Sequence, residues 1–407
     1  MQMRMCRRLG QLKWCICLWV GGVVFTSSTL IGVWTHGLDG FIRYFSNLAY
    51  LITLPGWIVL YAIGFGSIRS NPIAIVCVSM LAWLIWCVLF AAALRVHARI
   101  SGRQIQHPEL DEIDGGRRAF LANSALGFGA VGATVSPTYA TLIEPWDIKV
   151  RRYSIPVRGL PSAFEGLCMV QFSDSHLGPR IPASFIRAAV QQVVELQPDI
   201  LLLTGDYIHD GTGEIDQAAE LCHPMIDAAK YGSVGVLGNH DWWGDGPRMS
   251  EALKQRGVHM IDNNRVWLDP KDFRLNVLPV EDAIAFVGLG DLTEDVIDID
   301  QAFDSLEQQT PRVVLSHQPD AAELSILTRD YAPRVDLMCS GHTHGGQVRI
   351  PFIGTPLVPS QYGSKYAGGM VEGPAFPVVV SRGIGMSLLP VRFGVPPEIV
   401  VITLTCQ

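Results

Sequence analysis

The sequence predicts a layered α/β domain over residues 146–407, preceded by an all-α membrane region over residues 1–95. Short Val-, Ile- and Leu-rich runs recur after Trp146, with apolar residues at helical spacing between the first two. Strand, helix, strand in that order implies layers joined by crossover connections. Three longer apolar runs come first, and only 17% of the 407 residues are charged, against about 25% in an ordinary soluble domain.

The three apolar runs cover residues 15–34, 48–65 and 73–94, each near the ~20 residues needed to cross a bilayer. Trp14, Trp34, Tyr50 and Trp57 include candidate interfacial anchors, and Pro55 and Gly56 are tolerable in a membrane helix. Residues 96–145 read as a linker. Within it, Arg117 and Arg118 precede a mildly apolar run, 121–135, which reads equally as a partial twin-arginine export signal or as a short interfacial helix. Arg4, Arg7, Arg8 and Lys13 favour a cytoplasmic N-terminus, while Arg95, Arg99, Arg103, Arg117 and Arg118 favour a cytoplasmic linker. Three spans cannot satisfy both, and the preferred topology carries everything after residue 121 to the outer face.

A net charge of −7 and the lack of any Lys/Arg-rich run argue against nucleic-acid binding. The nine cysteines show no zinc-ligand spacing, and Cys168 and Cys339 fall in strand-like runs where a buried thiol is expected. In the globular part, 166–172, 200–203, 234–237, 312–315 and 335–338 read as buried strands. Phe185, Ile186, Ala189, Val190 and Val193 mark an amphipathic helix covering the sheet. Two further strands, 376–380 and 399–404, would extend or close a second sheet.

A polar block follows each of the first five strands: Asp174-Ser175-His176, Gly205-Asp206, Gly238-Asn239-His240-Asp241, Ser316-His317 and Gly341-His342-Thr343-His344. Ligands bind beyond the carboxyl ends of strands in open α/β sheets, so these loops are expected to converge. Carboxylates, an amide and imidazoles without a thiolate suit borderline-to-hard divalent metals. A carboxylate can bridge two cations, and Asp206 is the candidate bridge. Two metals could activate a water as hydroxide, polarise a phosphoryl oxygen and clamp an in-line displacement. His240, beside Asn239, is the candidate general acid for the leaving oxygen.

These blocks resemble the calcineurin-like metallophosphoesterase superfamily. With Gly341-His342-Thr343-His344-Gly345-Gly346-Gln347 and Ser381-Arg382-Gly383-Ile384-Gly385, the text is similar to its membrane-associated bacterial YkuE/YaeI-like branch. The resemblance covers residues 146–407 and implies a two-sheet sandwich flanked by helices. It also implies two divalent ions drawn from Mn, Fe, Zn or Ni. One metal would take Asp174, His176, Asp206 and His344; the other would take Asp206, Asn239, His317 and His342. One departure is His209, standing where many members place an acidic residue that orients the histidine; Asp210 or Asp241 is the substitute. Trp242 and Trp243 read as packing or as a substrate groove, and Arg180 and Arg382 as phosphate contacts or surface ion pairs.

The resulting expectation is a multi-pass protein of a bacterial inner membrane carrying a phosphodiesterase domain on its extracytoplasmic face. Its substrate would be a phosphate ester, in one hypothesis lipid-linked. The runner-up activity is that of a UDP-2,3-diacylglucosamine pyrophosphatase, which needs a cytoplasmic site. A different class of reading is a non-catalytic scaffold on the same fold.

Overall fold

A computed structural model describes residues 139–351, 353–387 and 390–407, all within one compact unit, Thr138–Gln407. The three apolar stretches, the linker up to residue 138 and the twin-arginine element lie outside the described residues. Among those described, no helix is long and apolar enough to cross a membrane.

Two mixed sheets face each other. The first holds β1 (Lys149–Val157), β2 (Cys168–Phe172), β3 (Ile200–Leu203), β4 (Ser233–Gly235), β5 (Val258–Met260) and β13 (Glu398–Cys406), in the order β1-β13-β2-β3-β4-β5. The second holds β6 (Asn264–Leu268), β7 (Leu275–Asn276), β8 (Ile284–Gly288), β9 (Arg312–Leu315), β10 (Leu337–Ser340), β11 (Gly369–Glu372) and β12 (Pro377–Val380), in the order β11-β12-β10-β9-β8-β6-β7.

Alternation along each strand explains the layers. Met169, Ile200, Leu202, Phe286, Val313 and Leu315 point inward and form the core between the sheets. Their neighbours Val170, Leu201 and Leu203 point outward against helices α1 (Ala183–Leu196), α2 (Ile215–Ala228) and α3 (Asn239–Lys254). Strands apolar on both faces read as continuous hydrophobic runs, which is why the sequence shows them so clearly. Helix α1 buries Ile186, Ala189, Val190 and Val193, four of the five residues that mark it in the sequence. It ends at Gln197, whose left-handed φ of 49° lets the chain turn toward β3. Short helices α4 (Ile299–Phe303) and α5 (Ser325–Thr328) pack on the outer face of the second sheet.

The last strand needs a correction. Sequence reasoning assigns both C-terminal strands to the second sheet, and β12 is there. Strand β13 instead enters the first sheet, parallel to β1 from Lys149↔Glu398 and antiparallel to β2. The reason is its two apolar faces: Val400, Ile402 and Leu404 join the inter-sheet core, whereas Ile399 and Val401 meet the helix layer. Only a central position buries both.

Candidate metal centre

Strands β2, β3 and β4 are parallel neighbours in one sheet, and β9 and β10 in the other. The five polar blocks leave the ends of these strands. Gln171 ties the two sheets beside them: its side-chain amide donates to Thr204 Oγ1 at 3.0 Å and to the Ser340 carbonyl at 2.9 Å.

Asp174-Ser175-His176 and His342-Thr343-His344 are not extended segments. Asp174 (φ 54°), His176 (φ 46°), Asp206 (φ 57°), His342 (φ 68°) and His344 (φ 50°) all occupy the left-handed region. Such conformations cost about 1–3 kcal/mol each and persist only where surroundings impose them. Here they turn the chain sharply at the strand ends and gather the side chains. His240 lies in the first turn of α3.

The turns can meet because glycines sit between them. A Cβ on Gly238 would lie 2.3 Å from Asp206 Oδ1, and one on Gly205, 2.6 Å from the Gly238 nitrogen. The Asp241 carboxylate then fastens the two loops. It accepts from the backbone N–H of Asp206 at 2.8 Å, Tyr207 at 2.9 Å and Gly238 at 2.9 Å. Asp241 is therefore a loop clasp, and does not orient His240. That imidazole donates from Nδ1 to the His209 carbonyl, leaving Nε2 within 3.3 Å of Ser387 Oγ.

The side chains form two groups, Asp174–His176–His344 and Asp206–His317–His342, each with its ligand atoms within 4.8 Å of one another. Asp206 joins them: its Oδ2 lies 3.4 Å from His176 Nε2 and 3.2 Å from His317 Nε2. His344 Nε2 stands 3.3 Å from Asp174 Oδ1 and 2.9 Å from His176 Nε2. His317 donates from Nδ1 to the Thr204 carbonyl at 2.8 Å, which turns Nε2 toward Asp206. A third group, His176–His209–His240, flanks the first.

Burial decides most protonation states. It holds the imidazoles of His176 and His344 well below their usual range and brings His342 down to about 4. Their ring nitrogens are thus free as lone-pair donors. Burial opposes the charged form of His317 most strongly, but the charge and hydrogen bond of Asp206, joined by the charges of Asp174 and Asp291, together outweigh it and lift His317 to about 10.

Do these residues fit a metal? The Asn239 Oδ1 and His176 Nδ1 atoms are buried without a hydrogen-bond partner among the described residues. An orphaned buried polar atom costs about 1–3 kcal/mol, and a cation would relieve that cost at Asn239. Carboxylate, imidazole and amide donors match a borderline-to-hard divalent ion. The site fits.

Sequence reasoning missed Arg392. Fully buried, it donates to the carbonyls of Arg382 (2.8 Å) and Val395 (3.1 Å), with Nη2 3.4 Å from His344 Nδ1. No motif surrounds it, so no sequence signal could have found it. Arg382, a candidate phosphate contact, is instead paired with Glu398 at 3.3 Å. Arg180 donates to the Ser387 carbonyl.

Comparison with known proteins adds an independent line. The family profile described as Calcineurin-like phosphoesterase matches residues 169–346. The chain is 32% identical to Uncharacterized metallophosphoesterase YkuE of Bacillus subtilis, over 71% of this chain and 97% of that protein. It is 29% identical to Phosphodiesterase YaeI of Escherichia coli, over 57% and 80% of the two chains. With UDP-2,3-diacylglucosamine pyrophosphatase LpxG of Chlamydia muridarum it shares 26% identity, over 67% and 97%.

Proposed function

The chain belongs to the calcineurin-like phosphoesterase family and is a phosphoric ester hydrolase, and from that premise we propose that it is a binuclear phosphodiesterase. The observation that carries this reading is the place of Asp206 Oδ2, between an imidazole of each ligand group. Asp174, His176, Asp206 and His344 would hold one divalent ion, and Asp206, Asn239, His317 and His342 the other. Bound there, the ions would supply a Lewis acid for the phosphoryl oxygen and lower the pKa of a water.

The chain's own groups do the rest. Asp206 Oδ1 accepts the His240 N–H at 2.9 Å, locking the start of α3 against the ligand turns. The His209 carbonyl fixes the tautomer of His240, so that in its charged state Nε2 can present a proton to a leaving oxygen. The ester preference follows the name of the YaeI relative. Attachment to a membrane through residues 1–95 belongs to this proposal too, and with it a lipid-linked substrate.

Metal analysis together with turnover of a phosphodiester tests the reading. Wild-type protein should hold two equivalents of divalent ion. Asp206→Asn should lose at least one and slow by more than about 100-fold, beyond the 10–100-fold typical of an outer partner. His240→Ala should keep both ions and lose about 10²–10⁴-fold. An Asp206→Asn protein that retains metal and rate would end the proposal.

A second reading, pyrophosphate cleavage in a UDP-diacylglucosamine, draws on the LpxG relative. Turnover of that nucleotide in preference to simple diesters, with a cytoplasmic Gln407 in a reporter-fusion map, would select it.

A further inference from the structure

The tandem tryptophans after His240 divide their work. Trp242 packs against the apolar core beneath α3, and its ring would meet a Cβ added at Gly246 at 2.7 Å. Trp243, one residue and about 100° further round the helix, points the other way and keeps 55% of its surface exposed. Core packing accounts for the first ring and leaves the second unexplained.

Trp243 is neither remote nor loose. Its ring centroid lies 4.2 Å from that of His240, and His240 in turn lies 4.6 Å edge-on from His176 of the first ligand group. The indole Nε1 donates to Glu294 Oε1 at 3.0 Å, a bond across 51 residues that fixes the ring plane. Just beyond, the helix breaks at Asp245 (φ −158°, ψ 88°), whose Oδ1 caps the restarted turn through the Arg248 N–H at 3.1 Å. The result is a preoriented, solvent-facing aromatic plate beside the candidate general acid.

We infer that Trp243 is a specificity platform that stacks the leaving group of the ester, so that the preferred substrates carry a planar aromatic group on the alcohol that departs. This rests on the phosphodiesterase reading for its placement at the leaving side. A planar group gains dispersion and quadrupole contacts from the indole face that a puckered or short alkyl group does not. Stacking of this kind alters binding by roughly 2–12-fold for an aryl ring and more for a nucleobase. Because the plate is already held, little side-chain freedom is lost on binding.

The test pairs esters of similar leaving-group basicity: benzyl, cyclohexylmethyl and ethyl phosphodiesters, and a thymidine 5′-linked diester. All are assayed with full-length, metal-supplemented protein. Wild type should favour benzyl over cyclohexylmethyl about 10-fold, and Trp243→Ala should erase that preference through KM. Trp243→Phe should keep part of it. The thymidine arm shows whether the planar group is a base or a simple aryl ring. Dissociation constants for benzylphosphonate and ethylphosphonate, measured by calorimetry, repeat the comparison without turnover. A benzyl preference in binding with no phosphodiester hydrolysis would remove the phosphodiesterase reading and leave the platform. Equal losses on every ester and no change in the two dissociation constants would show that Trp243 only supports His240, and would overturn the inference.

Discussion

At the scale of single residues, the Asp206–His317 pair sets the pH behaviour. Asp206, with Asp174 and Asp291, lifts His317 to about 10 against the effect of burial in the metal-free protein, so its imidazole is charged there at neutral pH. A raised histidine contributes stability that is complete below its ordinary value of about 6.5 and is lost as pH rises through about 10. A metal at Nε2 would have to displace that proton, so apparent metal affinity should climb with pH up to about 10. Calorimetric metal titration near pH 7.5, in two buffers of different ionisation heat, should find about one proton released from this residue. His317→Asn should abolish that release. Zero release from wild type would contradict the pairing. His209 belongs at this scale too: its carbonyl serves His240 whatever its side chain, so the missing acidic residue leaves His240 anchored.

At the scale of elements, close approach between two turns carries the site. The Gly238 backbone lies at φ −108°, so its constraint is steric and not conformational. Gly238→Ala drives a methyl into Asp206 Oδ1, the Asp206 nitrogen at 2.7 Å and His317 Cε1 at 2.8 Å. Overpacking of this kind costs about 1–3 kcal/mol. The protein should unfold at lower denaturant and should lose bound metal, as read by elemental analysis. Gly213→Ala, where a methyl meets nothing within 4 Å, is the control and should hold its metal. Unchanged metal content in Gly238→Ala would mean the turns can separate without harm.

At the scale of the whole molecule, the candidate ligands come from both sheets: Asp174, His176 and Asp206 follow strands of the first, and His317, His342 and His344 follow strands of the second. Metal binding should therefore stabilise the entire described unit by linking its layers. Saturation at 1,000 times Kd supplies about 4 kcal/mol, on the order of 10 °C in melting temperature for a domain of this size. Thermal melts with divalent ion and with chelator should differ by that order. Asp206→Asn should show a far smaller difference. Coincident wild-type melts would argue that the site is not a structural cross-link.

Much of this was readable in the chain itself. The five strand-then-polar-block units, helix α1 and the identity of the ligand candidates are local features. Periodicity and residue chemistry record them because each depends on neighbours within a few positions. Tertiary structure alone decided the left-handed turns at the candidate ligands and the entry of β13 into the first sheet. It also decided the clasp made by Asp241, the burial of Arg392 and the divergence of Trp242 from Trp243. These depend on groups far apart along the chain meeting in space, and on backbone angles that repeat in no pattern. Composition named the donors; packing chose the oxygen of Asp206 that stands between them.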